Sequence, residues 1–185
     1  MQLIIAGIGG QGILFTSRVL GQMAIDRGRT VIGSEVHGMA QRGGSVISHF
    51  KVGDYKSSLV RRGQADILMA FDQTEGLRNL FYLKKGGVFL VNAGDEAVFQ
   101  NTSLQKFLAD RSIRTCRFAG HEILNQHMGG NYLFLNVLIL GTAAGLGLEG
   151  FEKESVVQAL RELAPPKHLE SNLKVFDLGM TAARN

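Results

Sequence analysis

The chain has 185 residues, of which 45% are hydrophobic and 19% charged, a balance typical of folded globular proteins and not of disordered ones. The net charge is +4, and the basic residues are scattered along the chain: their longest runs are the pairs Arg61-Arg62 and Lys84-Lys85. The sequence therefore does not indicate a basic stripe that would bind nucleic acid. The single cysteine excludes an internal disulfide and cannot hold an iron–sulfur cluster by itself.

The N-terminal segment predicts a strand, a glycine turn, a helix and a second strand. Residues 3–6 are continuously apolar, as in a parallel strand covered on both faces. Over residues 12–27 apolar side chains recur at helical spacing, and Gly28 ends the pattern as a helix C-cap would. Residues 30–34 predict the second strand, so we expect a compact right-handed β-α-β crossover.

The next segment departs from a plain doubly wound pattern. Residues 35–46 contain glycines at positions 38, 43 and 44 and little periodicity, which predicts a loop. Residues 45–52 alternate between apolar and polar side chains. Together with residues 55–60 they predict a β-hairpin or a long extended excursion.

Strands and helices then alternate until the chain becomes entirely helical. The remaining predicted strands are residues 65–71, 87–93 and 114–118, and the predicted helices are residues 74–83, 103–110, 122–128, 132–146, 153–163 and 167–176. Cys116 lies in a predicted strand, where we expect a buried small hydrophobe. The order predicts an α/β, Rossmann-like single domain over residues 1–185, with a mostly parallel sheet, a β-hairpin excursion and a helical C-terminal part.

Two apolar segments bear on localisation. The first apolar run has no basic residues before it and leads directly into the glycine turn, which indicates a strand and not a signal peptide. Residues 133–148 are interrupted by polar residues and glycines and fall short of the roughly 20 apolar residues of a membrane span. We therefore expect a buried helix there, no membrane contact and a cytoplasmic protein.

The glycine turn admits a dinucleotide hypothesis. Gly7, Gly9 and Gly12 have the G-x-G-x-x-G spacing, and Glu35 stands near the position expected for a ribose-binding acid. However, Glu35 precedes a glycine loop, and the dispersed histidines include no evident proton relay. A stand-alone NAD(P)- or flavin-binding oxidoreductase is thus the alternative function. No histidines or carboxylates have metal-ligand spacing, so we expect no metal site.

Polar residues after the other predicted strands leave two interpretations open. His37, Gln41 and Arg42 share the second glycine loop. This loop is either solvated or a surface for an anionic ligand or a partner's active site, because a guanidinium binds carboxylates and phosphates through paired hydrogen bonds. Asp72 and Asn92 either cap the following helices or line the ligand crevice beyond the strands.

Several motifs, taken in order, resemble one family. "GIGGQG" follows the first strand, "SEVHGMAQRGG" the second, and "SVISHFKVG" comes next. Similarity continues through "ADILMAFDQTEGLRNLFYLKKGG", "NYLFLNVLILG" and "NLKVFDLG", so it spans essentially the whole chain. These motifs resemble the gamma-type subunits of the 2-oxoacid:ferredoxin oxidoreductases (pyruvate/ketoisovalerate oxidoreductase catalytic-domain family). The wording is most similar to the beta subunits that act on indolepyruvate.

The resemblance implies one part of a larger enzyme, inactive alone and prone to self-association when isolated. Such enzymes decarboxylate a 2-oxoacid such as indolepyruvate, pyruvate or a branched-chain 2-oxoacid, pass electrons to ferredoxin and commonly transfer the acyl group to coenzyme A. It implies thiamine diphosphate and iron–sulfur clusters in partner chains, and no cofactor bound by this chain alone. No catalytic residue is implied. The loops that would face partner chains or the acyl acceptor contain Gly7, Gly9, Gly10, Gln11, Gly12, Glu35, His37, Gln41, Arg42, Gly43 and Gly44.

Overall fold

The computed structural model describes residues 1–38 and 43–182, which form a six-stranded sheet with helices on both faces. The strands are β1 (Gln2–Ile8), β2 (Val31–His37), β3 (Ser45–Val52), β4 (Ala65–Ala70), β5 (Leu83–Asn92) and β6 (Arg114–Phe118). The α-helices are α1 (Ile13–Asp26), α2 (Gln73–Arg78), α3 (Thr102–Asp110), α4 (Gly120–Met128), α5 (Leu135–Gly145), α6 (Lys153–Leu163) and α7 (Leu169–Met180). Short 3-10 helices span Leu80–Tyr82, Glu96–Gln100, Tyr132–Phe134 and Pro166–His168.

The sheet is mostly parallel, as the sequence predicts, with the order β2-β3-β1-β4-β5-β6. The pairs β1–β4, β4–β5 and β5–β6 are parallel. Strand β3 is antiparallel to both β1 and β2. Since both β1 and β2 are antiparallel to β3, they run in the same direction and are separated by one strand.

This insertion corrects three expectations for residues 30–60. The β-hairpin pairs β2 with β3, and residues 55–60 form no strand, so the hairpin predicted between residues 45–52 and 55–60 is wrong. The segment β1-α1-β2 is a crossover, but its two strands are not neighbours. The loop predicted from residue 35 is also wrong at both ends, because β2 extends to His37 and β3 begins at Ser45. Hydrogen bonding between β2 and β3 overrides the local glycine signal here.

Both faces of the sheet are buried in hydrophobic clusters. On β1, Leu3 and Ile5 join the cluster built with α1, α5, α6 and α7. Ile4 and Ala6 join the opposite cluster, which lies against α2 and α3. Continuous apolar character in β1 is thus explained by burial on both sides.

After β6 the described chain is helical, as predicted for the C-terminal part, and α5 is the buried centre of these helices. Helix α5 is buried almost all round and contacts α7 closely. A Cβ on Gly141 would lie 2.2 Å from the carbonyl oxygen of Phe176, so only glycine permits this approach of the two backbones. In the described part of the chain, no helix has the length and apolar character needed to cross a membrane.

Two predicted elements in the middle of the chain differ from the structure. The helix expected over residues 74–83 is the shorter α2 followed by the 3-10 helix Leu80–Tyr82. Strand β5 begins at Leu83, four residues before the predicted strand at residue 87. Its exposed start, where Gly86 has a φ of +75°, carries lysines and glycines that give no strand signal in the sequence.

Candidate functional site

The two glycine loops meet at the edge of the sheet where the parallel strands end. Strand β1 ends at this edge and the antiparallel β3 begins there, so the loops on their ends lie side by side. The N–H of Gly9 donates to the carbonyl oxygen of Gly44 at 2.8 Å, and the N–H of Gly43 donates to that of Gly9 at 3.4 Å. These backbone bonds join loops that are far apart in the sequence.

Gln11 closes the first glycine turn from within. Its Oε1 accepts the N–H of Ile8 at 2.7 Å, and its backbone N–H donates to the carbonyl oxygen of Ile8 at 3.1 Å. A Cβ on Gly7 would lie 2.6 Å from that same Oε1. Gln11 therefore shapes the turn with its side chain, while Gly10, with a φ of +103° and no atom within 4 Å of its Cβ position, faces open space.

Asn136 packs directly on the third glycine of the turn. Gly12 has a φ of +85°, and its Cβ would stand 2.5 Å from the Nδ2 of Asn136. Asn136 belongs to the first turn of α5, and its Oδ1 accepts the N–H of Val137 at 2.8 Å. No role for Asn136 follows from sequence reasoning, although a polar residue in an otherwise apolar helix is a signal that could have indicated one.

A buried carboxylate fixes the second glycine loop from below. Glu75 is 6% exposed and accepts hydrogen bonds from Ser45 Oγ at 2.6 Å and from Arg78 Nη1 at 2.8 Å. Ser45 directly follows Gly44, so Glu75 connects α2 to the loop that binds Gly9. Glu75 also gives no signal in the sequence, because a charged side chain in a helix is usually solvated.

Asp72 caps the following helix, one of its two predicted roles, whereas Asn92 takes neither of the two roles predicted for it. Asp72 is the N-cap of α2, and its Oδ1 accepts the N–H of Glu75 at 3.0 Å. Asn92 is 2% exposed, donates to the carbonyl oxygen of Phe71 and accepts the N–H of Gly120. Asn92 thereby ties the ends of β4, β5 and β6 together, and neither residue is free to bind a ligand with these groups.

The other predicted site residues are divided between β2 and undescribed positions. Glu35 and His37 lie in the exposed edge strand β2, not in a loop. Because β3 separates β2 from β1, Glu35 is two strand spacings, about 10 Å, from the strand that carries the glycine turn. Gln41 and Arg42 lie outside the described residues.

The buried titratable groups have structural surroundings. His49 is 3% exposed, and its Nδ1 accepts the N–H of Val60 at 3.1 Å. Burial, together with the nearby Lys51 charge, lowers the pKa of His49 below its ordinary value of 6.5. Cys116 is fully buried, as expected, and burial raises the pKa of its thiol. Within residues 1–38 and 43–182, no cluster of three or more His, Cys, Asp or Glu side chains is arranged to hold a metal ion.

The whole described chain matches one family. The family model described as "Pyruvate ferredoxin/flavodoxin oxidoreductase" matches residues 2–182. This protein belongs to that family. The indolepyruvate oxidoreductase subunit IorB of Pyrococcus horikoshii is 34% identical, and the alignment covers 98% of this chain and 95% of that subunit. The resemblance drawn from the motifs along the whole chain is confirmed.

Two further relatives of the oxidoreductase family place this chain among its subunits. The gamma subunit of a keto/oxoacid ferredoxin oxidoreductase from Geobacter sulfurreducens has the same fold, with a TM-score of 0.72, 26% identity, and coverage of 97% of this chain and 95% of that one. The ketoisovalerate oxidoreductase subunit VorA of Methanothermobacter marburgensis is 29% identical over 97% of this chain, which corresponds to 36% of that subunit. The chain is therefore a subunit of a 2-oxoacid oxidoreductase, and the α/β fold class is confirmed.

Proposed function

We propose that this chain is the subunit without iron–sulfur clusters in a thiamine-diphosphate-dependent 2-oxoacid:ferredoxin oxidoreductase. The assembled enzyme decarboxylates a 2-oxoacid oxidatively, transfers the electrons to ferredoxin and passes the acyl group to coenzyme A. Thiamine diphosphate and the clusters belong to the partner subunits. The lone cysteine of this chain is buried in β6 and does not fit a cluster, which needs several thiolates.

One observation carries the proposal: protein groups already occupy the glycine turn at Gly9 and Gly12. In a dinucleotide fold the turn and the following helix N-terminus leave the backbone open to a pyrophosphate. Here Asn136 covers Gly12, and Gly9 is bonded to Gly44 of the second loop. In addition, strand β3 separates the turn from Glu35, the residue expected to bind the ribose of a dinucleotide. This separation favours a surface that contacts other subunits and disfavours a nicotinamide site.

The surface offered to the partner subunits is then the joined pair of glycine loops. We assign to it the turn from Gly9 to Gly12, together with Gly43 and Gly44, and we extend it to Gln41 and Arg42 by sequence. Gly7 and Gln11 shape the turn from inside, and Glu35 and His37 flank it on β2. Its role is to close the reaction centre of the complex and exclude water from it.

The names of two similar subunits suggest the substrate class. The indolepyruvate oxidoreductase subunit is 34% identical over nearly its full length, against 29% for the ketoisovalerate subunit. We therefore propose an aryl 2-oxoacid such as indolepyruvate, ahead of pyruvate and branched-chain 2-oxoacids.

Reconstitution with the larger subunits from the same source tests the proposal. Reduction of ferredoxin that depends on indolepyruvate should require this chain, and the chain alone should neither bind NADH nor turn over a substrate. A Gly10→Val variant should weaken assembly or turnover, because its side chain would enter the open space in front of the turn. Gly28→Val is the matched control, since Gly28 also has a positive φ and open space but lies at the far end of α1.

Three results would contradict the proposal. The first is enhanced NADH fluorescence with the isolated chain, which would favour the stand-alone dehydrogenase. The second is full activity of the larger subunits without this chain. The third is equal behaviour of the Gly10→Val and Gly28→Val complexes, which would remove the glycine turn from the interface.

A further inference from the structure

We propose that strand β2 is a self-association edge, at which two copies of this chain join their sheets by antiparallel β2–β2 pairing. Strand β2 is the last strand on its side of the sheet in the described chain. Its sequence, VIGSEVH, contains neither lysine nor proline, and its register with β3 has no bulge. Lysine, proline and bulges usually protect an edge strand from pairing with another chain, and β2 has none of the three. By contrast, the opposite edge, β6, is shorter and carries two arginines.

The hydrogen bonds to β3 reveal which groups of β2 are free. Opposed residues of an antiparallel pair alternate between those that exchange two backbone bonds and those that exchange none. Gly38 donates to Ser45 at one end of the pair, and Gly53 donates to Thr30 at the other. The even-numbered residues therefore bind β3. The backbone N–H and C=O groups of Gly33, Glu35 and His37 point to the open edge.

This alternation restricts the registers that two copies can adopt. Only residues with free backbone groups can face one another as bonded pairs, and the register that uses all of β2 places Ser34 opposite Ser34 of the second copy. Gly33 then faces Glu35, and Val31 faces His37. A shift centred on Glu35 would oppose two like charges, and a shift centred on Gly33 would shorten the pairing.

Side chains in this register are complementary on one face of the sheet. Val36 is 50% exposed, and it would lie opposite Ile32 of the second copy. Ser48 of β3 contacts Ser17 of α1, so the side chain of Ser48 lies on the α1 face of the sheet. The partners of Ile32 and Val36 in β3 lie an odd number of residues from Ser48, so both side chains lie on the opposite face. Pairing would therefore cover apolar surface that is exposed in one copy.

On the other face, charges are complementary. Glu35, Gly33 and Arg18 line one open groove of about 550 Å³ between α1 and β2. Neither Arg18 nor Glu35 has an ion-pair partner within the described residues. Because Glu35 of one copy would face Gly33 of the other, its carboxylate would enter the groove beside Arg18 of that copy.

Helix α1 adds two exposed apolar side chains beside the seam. Leu14 is 44% exposed and Ile25 is 57% exposed, and with Arg18 and Gly21 they repeat at helical spacing along one side of α1. A two-fold axis through Ser34 and normal to the sheet would place both α1 helices on the same face, antiparallel across the seam. The contact is isologous, so it closes at two copies and does not propagate.

Sedimentation of the full chain tests the pairing. At tens of micromolar we expect a dimer, and amide exchange resolved by residue should slow with concentration at Gly33, Glu35 and His37 but not at the even positions of β2. Arg18→Glu and Glu35→Arg should each reduce dimerisation at least tenfold, and the double variant should restore most of it. Glu170→Arg, on the exposed side of α7, is the matched control.

A proline variant separates the edge from the fold. Glu35→Pro removes an N–H that faces the open edge, so it should abolish the dimer and leave the monomer folded. Ser34→Pro removes an N–H that binds β3 and should lower stability instead. If the wild-type chain stays monomeric at these concentrations, the proposal is overturned. This holds even if the larger subunits protect the β2 amides from exchange. A dimer insensitive to Glu35→Pro would overturn it as well.

Discussion

The side-chain amide of Asn136 occupies the space that a Cβ on Gly12 would need: the Cβ position lies 2.5 Å from the Nδ2 of Asn136. The helix-opening turn after β1 is thereby locked to the first turn of α5, which comes more than a hundred residues later in the chain. This contact converts a loop shaped like a phosphate cradle into part of the protein's own packing.

Replacing Gly12 by alanine should destabilise the protein more than the backbone conformation alone would. A left-handed φ costs a residue with a Cβ about 1–2 kcal/mol, and displacing Asn136 adds an overpacking cost of about 1–3 kcal/mol. Urea unfolding should thus show a loss of roughly 2–5 kcal/mol in total. Gly28→Ala is the control, since Gly28 has a φ of +64° but open space at its Cβ. Equal losses in the two variants would refute the packing role of Asn136.

Removing the Glu75 carboxylate should loosen the second glycine loop. Glu75→Ala leaves Ser45 without its partner in a half-buried position and should lower the free energy of unfolding by about 1–3 kcal/mol. Exchange of the Gly9 amide, which is bonded to Gly44 next to Ser45, should quicken as well. Glu162→Ala, at an exposed position of α6, provides the comparison. Unchanged Gly9 exchange would show that Glu75 does not hold the loop.

Stability should fall in mild acid because of His49. Burial, with a contribution from Lys51, lowers the pKa of His49 in the folded protein below its unfolded value of 6.5. The contribution of neutral His49 to the free energy of unfolding is fully present above the unfolded pKa of 6.5. As the pH falls below 6.5, the unfolded chain takes up the proton first, and the contribution is lost as the pH passes through the lower folded pKa.

The His49→Asn variant isolates this effect. Asparagine retains an acceptor for the Val60 N–H but does not titrate. Urea unfolding between about pH 7.5 and about pH 5 should therefore show a shallower loss of stability in the variant than in the wild type. Parallel pH profiles would mean that other groups cause the acid sensitivity.

Cys116 should be inert in the folded protein. The thiol is fully buried in β6, and burial raises its pKa, so the reactive thiolate is scarce. A maleimide should not label the native chain over hours but should label one thiol per chain in denaturant. Rapid native labelling would indicate that β6, the edge strand opposite β2, opens readily.

Periodicity in the sequence determines the elements but not all of their ends. Continuous apolar runs such as residues 3–6 identify the buried strands, and α6, with apolar residues at helical spacing, matches its predicted bounds Lys153–Leu163. The α/β class also follows from the order of the elements, and the family from the resemblance of several motifs along the whole chain. These features depend on neighbouring residues, and local chemistry is visible in the sequence.

Only the tertiary structure decides which strands are neighbours, and with them the arrangement of the site. The insertion of β3 between β1 and β2 depends on hydrogen bonds between β1 and β3, whose paired residues lie tens of positions apart and for which an alternating pattern gives no partner. The same distance hides the contacts of Asn136 with Gly12 and of Glu75 with Ser45. Side chains near each other only after folding leave no local periodicity, so the glycine turn reads as a cofactor site until its packing is known.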